Sequence, residues 1–496
     1  FGWGEGVAPV EVGVEIDGKT QQETLSAFVL NTGSRYRDHG KGEDVDPRHL
    51  VNILCSPGLG GALKENTFKA DAGPDLRHFH EARLPVEGWS KDWLTYSRYN
   101  GLVVAGGEVE IAAAEVRSAL FEYTQCGGVL MVVGPCKSLP PSWQRAKTQL
   151  QGLTAYFAGF GMCLVSEQGG VTDWGPGQAR VLTSAWGQSG DPWRQPRSPS
   201  EANRDFPVVE NIAVPVRGLF LSMVGFVLII GPLNLYILGR KKRKLWMLWT
   251  VPAFSLATCA AVVLYMIASE GWHGHIRAEG LTFLDEESGR ASTVGWIGFY
   301  TPMASGDGLR FSRVTELTPQ LESPQRYGYY GDRSATSGRS IDWTDEQHLG
   351  AGWVTARVPL HFLLRKSEAR KERLAVHKEG GALAVTNELG AGIRELWLAD
   401  AQGRVYTGKD IALGGRSELT PAEKKLAGVN LSSLRQTYTA NWLKAFEHDP
   451  LTYLRPGCYV AVLNSAPFIE DGLRTYQSRK GRSIVFGIMK EPGHAG

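Results

Sequence analysis

Two uncharged apolar runs dominate the hydrophobic pattern: Gly218–Leu238, GLFLSMVGFVLIIGPLNLYIL, and Leu245–Ala268, LWMLWTVPAFSLATCAAVVLYMIA. About 20 apolar residues in a helix cross the ~30 Å hydrocarbon layer of a bilayer, so each run is long enough to span one. Ahead of them, Val10, Val12 and Val14 alternate with Glu11, Gly13 and Glu15, the period of a half-buried strand, and Asp17-Gly18 marks a turn. Residues 101–136 predict a strand over Leu102–Ala105, an Ala-rich helix over Glu110–Gln125 stopped by Gly127-Gly128, and a second apolar strand over Val129–Val133. Strand, crossover helix and strand make a βαβ unit and so a parallel sheet, with Val51–Cys55 as a further strand. Residues 168–210 lose periodicity and read as a loop rich in Pro, Gly and Ser. Beyond the apolar runs, short strands are expected at Leu374–Val376, Ala382–Val385, Glu395–Leu398, Arg404–Tyr406, Cys458–Leu463 and Ser483–Met489, the spacing of an antiparallel sandwich. Residues 304–350 read as an insertion, and Ser417–Leu426 and Tyr438–Phe446 as brief helices.

The expected organisation is multidomain, α/β plus all-β. A β segment covers 1–48 and a flavodoxin- or Rossmann-like α/β domain 49–168, with a linker at 169–217. A two-helix transmembrane hairpin occupies 218–268, its turn at 239–244, and an extracytoplasmic antiparallel β-sandwich occupies 269–496.

The hairpin sets the orientation. Arg240, Lys241, Lys242, Arg243 and Lys244 join the apolar runs, and basic residues flanking a span are retained on the cytoplasmic side. Both large portions, 1–217 and 269–496, are then extracytoplasmic. Trp246 and Trp249 suit the inner headgroup belt, and Tyr265 and Trp272 the outer one. Pro232 and Pro252 each remove a helical hydrogen bond and favour a kink. Asn234 and Thr250 lie about four and six residues from the turn on its two sides, so a contact between them, worth about 0.6–2 kcal/mol, is expected in preference to the alternative, a polar spot that recruits another membrane subunit.

The chain has 496 residues and a formal net charge of +2. With no basic stripe outside 240–244, nucleic acid is not an expected partner. The six cysteines have neither zinc-finger spacing nor the density of a disulfide framework, and His78 and His80 lack a third ligand at recognisable spacing, so no metal or cofactor is expected. The first residue is Phe1, which fits a removed export signal.

Ligands of open α/β sheets bind beyond the carboxyl ends of the strands, here Ala105-Gly106-Gly107 and Gly134-Pro135-Cys136. This arrangement resembles class I glutamine amidotransferases, in which a Gly-Gly comes after one strand and a G-x-C-x-G elbow after the next. The resemblance makes Cys136 the candidate nucleophile. The elbow departs from that pattern at Ser138 and at Pro140-Pro141. No histidine lies between His80 and His273 to serve as the base a thiol needs. An inactive relative is the favoured reading, with an extracytoplasmic Cys-dependent amidase or glutamine amidotransferase-like enzyme as the alternative. Trp174, Trp186 and Trp193 offer a third reading, a glycan-binding module, although they can equally pin their segment to its own domain.

Three stretches together resemble a family of bacterial envelope membrane proteins: GGVLMVVG, then VPVRGLF leading through IIGPLNLYIL to WTVP, and LTFLDEESGRASTVGWIGFYTP with PGCYVAVL. The resemblance implies the bacterial cytoplasmic membrane, crossed twice, and a non-enzymatic scaffold or accessory subunit. Its partners would be the lipid bilayer and other membrane or envelope proteins.

Overall fold

The structure is a computed structural model that describes residues 7–16, 19–28, 36–37, 44–45, 50–59, 61, 63, 78–146, 149–167, 170, 174–194, 199–209, 216–241, 244–270, 274–303, 306–320, 339–379, 382–422 and 454–490. It is a mixed α/β molecule with one sheet of mainly parallel strands and one large, mainly antiparallel sheet.

At the N-terminus β1 (Val7–Ile16) and β2 (Lys19–Phe28) pair antiparallel, Ile16 against Lys19; the expected turn at Asp17-Gly18 lies outside the described residues. A short pair, β3 (Tyr36–Arg37) and β4 (Asp44–Val45), comes next.

The α/β sheet contains β5 (Leu50–Cys55), β6 (His78–Arg83), β7 (Gly101–Ala105), β8 (Val129–Val133), β9 (Gln144–Arg145), β10 (Leu153–Ala158) and β11 (Gly161–Ser166). Their spatial order is β6-β5-β7-β8-β11-β10-β9; the first five are parallel, and β10 and β9 add antiparallel. Because side chains alternate along a strand, Leu102, Val104, Leu130 and Val132 face one side and Val103, Met131 and Leu164 the other. Helix α2 (Ala114–Gln125) covers the first side with Val116, Ala119, Leu120 and Tyr123. The expected Glu110–Gln125 helix is therefore two helices. A short α1 (Gly106–Ile111) precedes α2, separated by Ala112 and Ala113 in extended conformation. Gly106 lies so close to the Pro135 carbonyl that a Cβ would clash, which fixes α1 against the end of β8.

The second face of this sheet corrects the linker reading of 169–217. Pro176–Arg194 is helix α3, whose Ala179, Leu182, Ala185 and Trp186 fill that face, and Pro199–Asp205 is helix α4. Helical spacing is present in these residues, diluted by the glycines and serines between them.

An apolar helical segment comes next in the chain: α5 (Val216–Leu228), a π turn at Ile229–Leu233, α6 (Asn234–Arg240), a 3-10 turn at Lys244–Trp246, and α7 (Met247–Glu270).

The remaining strands are β12 (Gly274–Asp285), β13 (Arg290–Tyr300), β14 (Leu309–Phe311), β15 (Thr315–Pro319), β16 (Ile341–Asp342), β17 (Gln347–Leu349), β18 (Leu360–Ala369), β19 (Arg373–Glu379), β20 (Ala382–Glu388), β21 (Ile393–Ala399), β22 (Val405–Ile411), β23 (Arg416–Pro421), β24 (Cys458–Leu463) and β25 (Tyr476–Ile488). Eleven form one continuous sheet, β15-β18-β13-β12-β25-β24-β21-β22-β23-β20-β19, in which only the β12–β25 pair is parallel. Within the 304–350 stretch, β15 joins the large sheet and β14, β17 and β16 form a small sheet of their own, while residues 304–305 and 321–338 lie outside the described residues. The expected helix from Ser417 is strand β23 up to Pro421, because Leu419 pairs with Leu383 of β20 and is buried there. The expected helix at Tyr438–Phe446 lies outside the described residues.

Candidate functional site

The carboxyl ends of β5, β7 and β8 form the crevice where an α/β sheet would hold a ligand. Ser56 ties two of these ends together, its Oγ accepting from the Ala105 amide at 3.2 Å. After β8 the chain turns through Gly134, whose φ of +90° suits glycine. Cys136 is half-buried, and its Sγ lies 3.5 Å from Ser138 Oγ. Burial pushes the Cys136 thiol above its ordinary value, and the nearby Glu110 charge adds to that against the opposing Ser138 hydrogen bonds. The Glu110 carboxylate itself accepts the backbone amides of Lys137 and Ser138, the latter at 2.9 Å. The Lys137 amide is the main reason the Glu110 carboxyl is held below the usual range. The amides next to the thiol thus already bind an internal carboxylate. The described side chains of His275, His348, His361 and His377 all belong to the C-terminal β structure. Among the described residues no cluster of His, Cys, Asp and Glu is arranged to hold a metal ion. His78 and His80 lie on β6, alternate residues of one strand.

Trp174 and Trp186 are buried in the α/β core, so neither offers a ring for stacking on a glycan. The side chain of Trp193 lies outside the described residues.

The second constellation joins the two sheets and went unseen in the sequence. One face of the large sheet presents Leu281, Phe283, Val294, Trp296, Ile484 and Phe486, and Phe160 and Phe206 of the α/β part pack upon it. Phe206, just beyond α4, stands edge-on to Trp296 with ring centres 5.8 Å apart, and the Arg277 guanidinium lies 4.6 Å over its ring. Arg277 Nη1 donates to the Pro207 carbonyl at 2.9 Å. His361 Nε2 lies 2.9 Å from the Phe206 carbonyl, which can only accept, so Nε2 carries the proton. Burial lowers the His361 pKa to about 4, leaving the ring neutral. Near the end of α2, Glu122 pairs with Arg290 at 2.9 Å and Ser292 Oγ donates to Gln125 Oε1 at 3.4 Å.

The third constellation is the apolar helical segment. Among the described residues Met223–Arg240 is the stretch long and apolar enough, by length and composition, to cross a membrane; α7 contributes a shorter apolar stretch, Met247–Val262. Many of their large side chains are bare: Leu245 is 90% exposed, Leu248 81% and Trp249 77%, and Trp246 is exposed too. Asn234, at 5%, is buried. Its Nδ2 donates to Thr250 Oγ1 at 2.9 Å, so the two polar side chains satisfy each other across the helices. Pro232 lies within the π turn and Pro252 within α7. A π turn adds one residue and so rotates the next helical residues by about 100°, which bears on where Asn234 points. Arg240 and Lys241 are exposed at the end of α6, with Arg240 Nη1 3.4 Å from Tyr236 Oη. Lys242 and Arg243 lie outside the described residues, as does the Lys244 side chain.

No protein-family profile matches the chain, and no curated protein matches it either.

Proposed function

We propose that this chain is a non-enzymatic, membrane-anchored scaffold whose α/β and β parts stand on the outer side of a membrane crossed twice by residues 218–268. One observation carries the reading. The helical segment exposes its apolar side chains while turning Asn234 and Thr250 toward each other. Water would reward the opposite arrangement, and hydrocarbon rewards this one. The basic run 240–244 supports a cytoplasmic turn. The contacts of Phe206, Arg277 and His361 support a scaffold in which both outer parts move as one body and present a composite surface to other envelope proteins. The internal carboxylate on the Lys137 and Ser138 amides, beside a thiol raised by burial, favours this reading over a Cys-dependent amidase.

Alkaline carbonate extraction of membranes from expressing cells tests the anchor. The chain is expected to remain in the pellet and to enter solution only with detergent. Release by carbonate alone refutes the proposal.

A further inference from the structure

The large sheet has one end close to the apolar helices, and that end carries an apolar rim. Strand β12 begins at Gly274, four residues after α7 ends at Glu270, a span of at most about 14 Å. Gly274 pairs with Tyr476, His275 with Tyr300, and Phe299 with Leu360. The register therefore brings the start of β25, the end of β13 and the start of β18 to this one end. The Arg357 amide donates to the Thr301 carbonyl at 2.7 Å and closes the 301–303 and 357–358 segments together. Two large apolar side chains and a tyrosine are exposed there: Met303 at 54%, Val358 at 43% and Tyr476 at 37%, the Tyr476 hydroxyl donating to Asp471 Oδ2 at 2.9 Å. Arg357 and Arg474, within two residues of Val358 and Tyr476 in the chain, are exposed.

The other chain crossing leads to the same end. Phe206 and Pro207 are held by His361 and Arg277, each within three residues of that end on its strand. From Val209 to Val216, where α5 begins, the chain reaches at most about 25 Å. Both connections to the apolar helices thus leave from the rim end.

We infer that the Gly274 end of the large sheet rests on the outer lipid surface, with Met303, Val358 and Tyr476 dipping into the headgroup layer of the bilayer that the helices cross. This rests on the membrane-anchored reading above. Apolar side chains and a tyrosine ring suit that layer, and arginines flanking them suit lipid phosphates. The rim makes the sheet a foot on the membrane, so the anchor and the outer body share a fixed orientation.

Single cysteines test it in the full chain, with Cys136, Cys259 and Cys458 replaced by serine. Met303→Cys, Val358→Cys, Leu256→Cys in α7 and Ser288→Cys each carry an environment-sensitive fluorophore, in liposomes of phosphatidylcholine and phosphatidylglycerol holding no other protein. Ser288 lies just past β12 at its far end, about 36 Å along the strand from Gly274. The expected result is iodide quenching at positions 303 and 358 about threefold or more weaker than at 288, with blue-shifted emission, because a headgroup layer excludes the anion. Equal quenching at 303, 358 and 288 with the position-256 label shielded overturns the rim and leaves the anchor standing. Quenching of the position-256 label as strong as at 288 overturns both.

Discussion

Phe206→Ala is the sharpest perturbation of the joint between the two sheets. The ring is buried against Trp296 and lies under the Arg277 guanidinium; His361 holds the carbonyl of Phe206 itself and Arg277 that of Pro207. Truncating a buried Phe to Ala costs about 3–5 kcal/mol through lost transfer energy and the cavity left behind. The edge-on aromatic pair adds about 0.5–1.5 kcal/mol beyond its area, which places the loss toward the upper part of that range. In parts of this size each kcal/mol moves the midpoint by about 2–4 °C, so thermal unfolding in detergent micelles should shift down by about 6–20 °C. The loss should appear as an earlier release of the α/β part, read by cleavage in the 195–215 stretch under limited proteolysis, while Phe206→Leu, which keeps a large apolar side chain and loses the ring contacts, should cost less than Phe206→Ala. A Phe206→Ala variant with unchanged midpoint and unchanged cleavage would refute the joint between the two sheets.

Individual groups set the remaining outcomes. His361 has a folded pKa lowered to about 4 against an unfolded value near 6.5, so its contribution is fully present above about pH 6.5 and is lost as pH falls toward 4; the integrated loss is about 3 kcal/mol, and His361→Gln should flatten the stability profile across that window. A profile equally steep in His361→Gln would assign the dependence to other groups. Lys366 is buried with Glu470 at 2.5 Å and Glu368 at 2.9 Å, so Glu368→Ala and Glu470→Ala together leave the ammonium unpaired and should cost about 3–5 kcal/mol in denaturant unfolding, whereas a combined cost below 1 kcal/mol would mean the ammonium is not confined there. Glu110→Gln removes the charge that helps hold the Cys136 thiol up, so alkylation of Cys136 at neutral pH, monitored by mass spectrometry, should quicken; an unchanged or slower rate contradicts the electrostatic coupling. Asn234→Leu should weaken helix pairing by about 0.6–2 kcal/mol in a reversible unfolding assay in micelles, and a gain in stability would show that the Asn234–Thr250 bond is not formed.

The βαβ unit was legible because Leu102–Ala105 and Val129–Val133 are short, wholly apolar and separated by an Ala-rich stretch, so periodicity and punctuation agree. Helix α3 was not, although Leu182 and Trp186 mark one face, because Gly177, Gly187 and Gly190 weaken local helix preference and packing on the sheet supplies what propensity lacks. Strand β23 was misread for the same reason: Ser417–Pro421 has weak local preference, and pairing with β20 decides it. Asn234 and Thr250 could be matched by counting outward from the basic turn, since an antiparallel pair of helices has a simple register. The joint offered no such handle. Glu122 meets Arg290, and Gln125 meets Ser292 167 residues away, so only the assembled topology brings them together. At the sheet ends, Cys136 was legible as a candidate, but the Glu110 carboxylate over the Lys137 and Ser138 amides was not, because it comes from a neighbouring loop-end helix.

The proposed scaffold rests on the proposed orientation of residues 218–268 in a membrane, and cysteine accessibility in intact spheroplasts tests that orientation most directly. In the cysteine-replaced background, a membrane-impermeant maleimide should modify Ser288→Cys at once and Lys242→Cys only after permeabilisation. Modification of Lys242→Cys in sealed spheroplasts, or protection of Ser288→Cys, would contradict it.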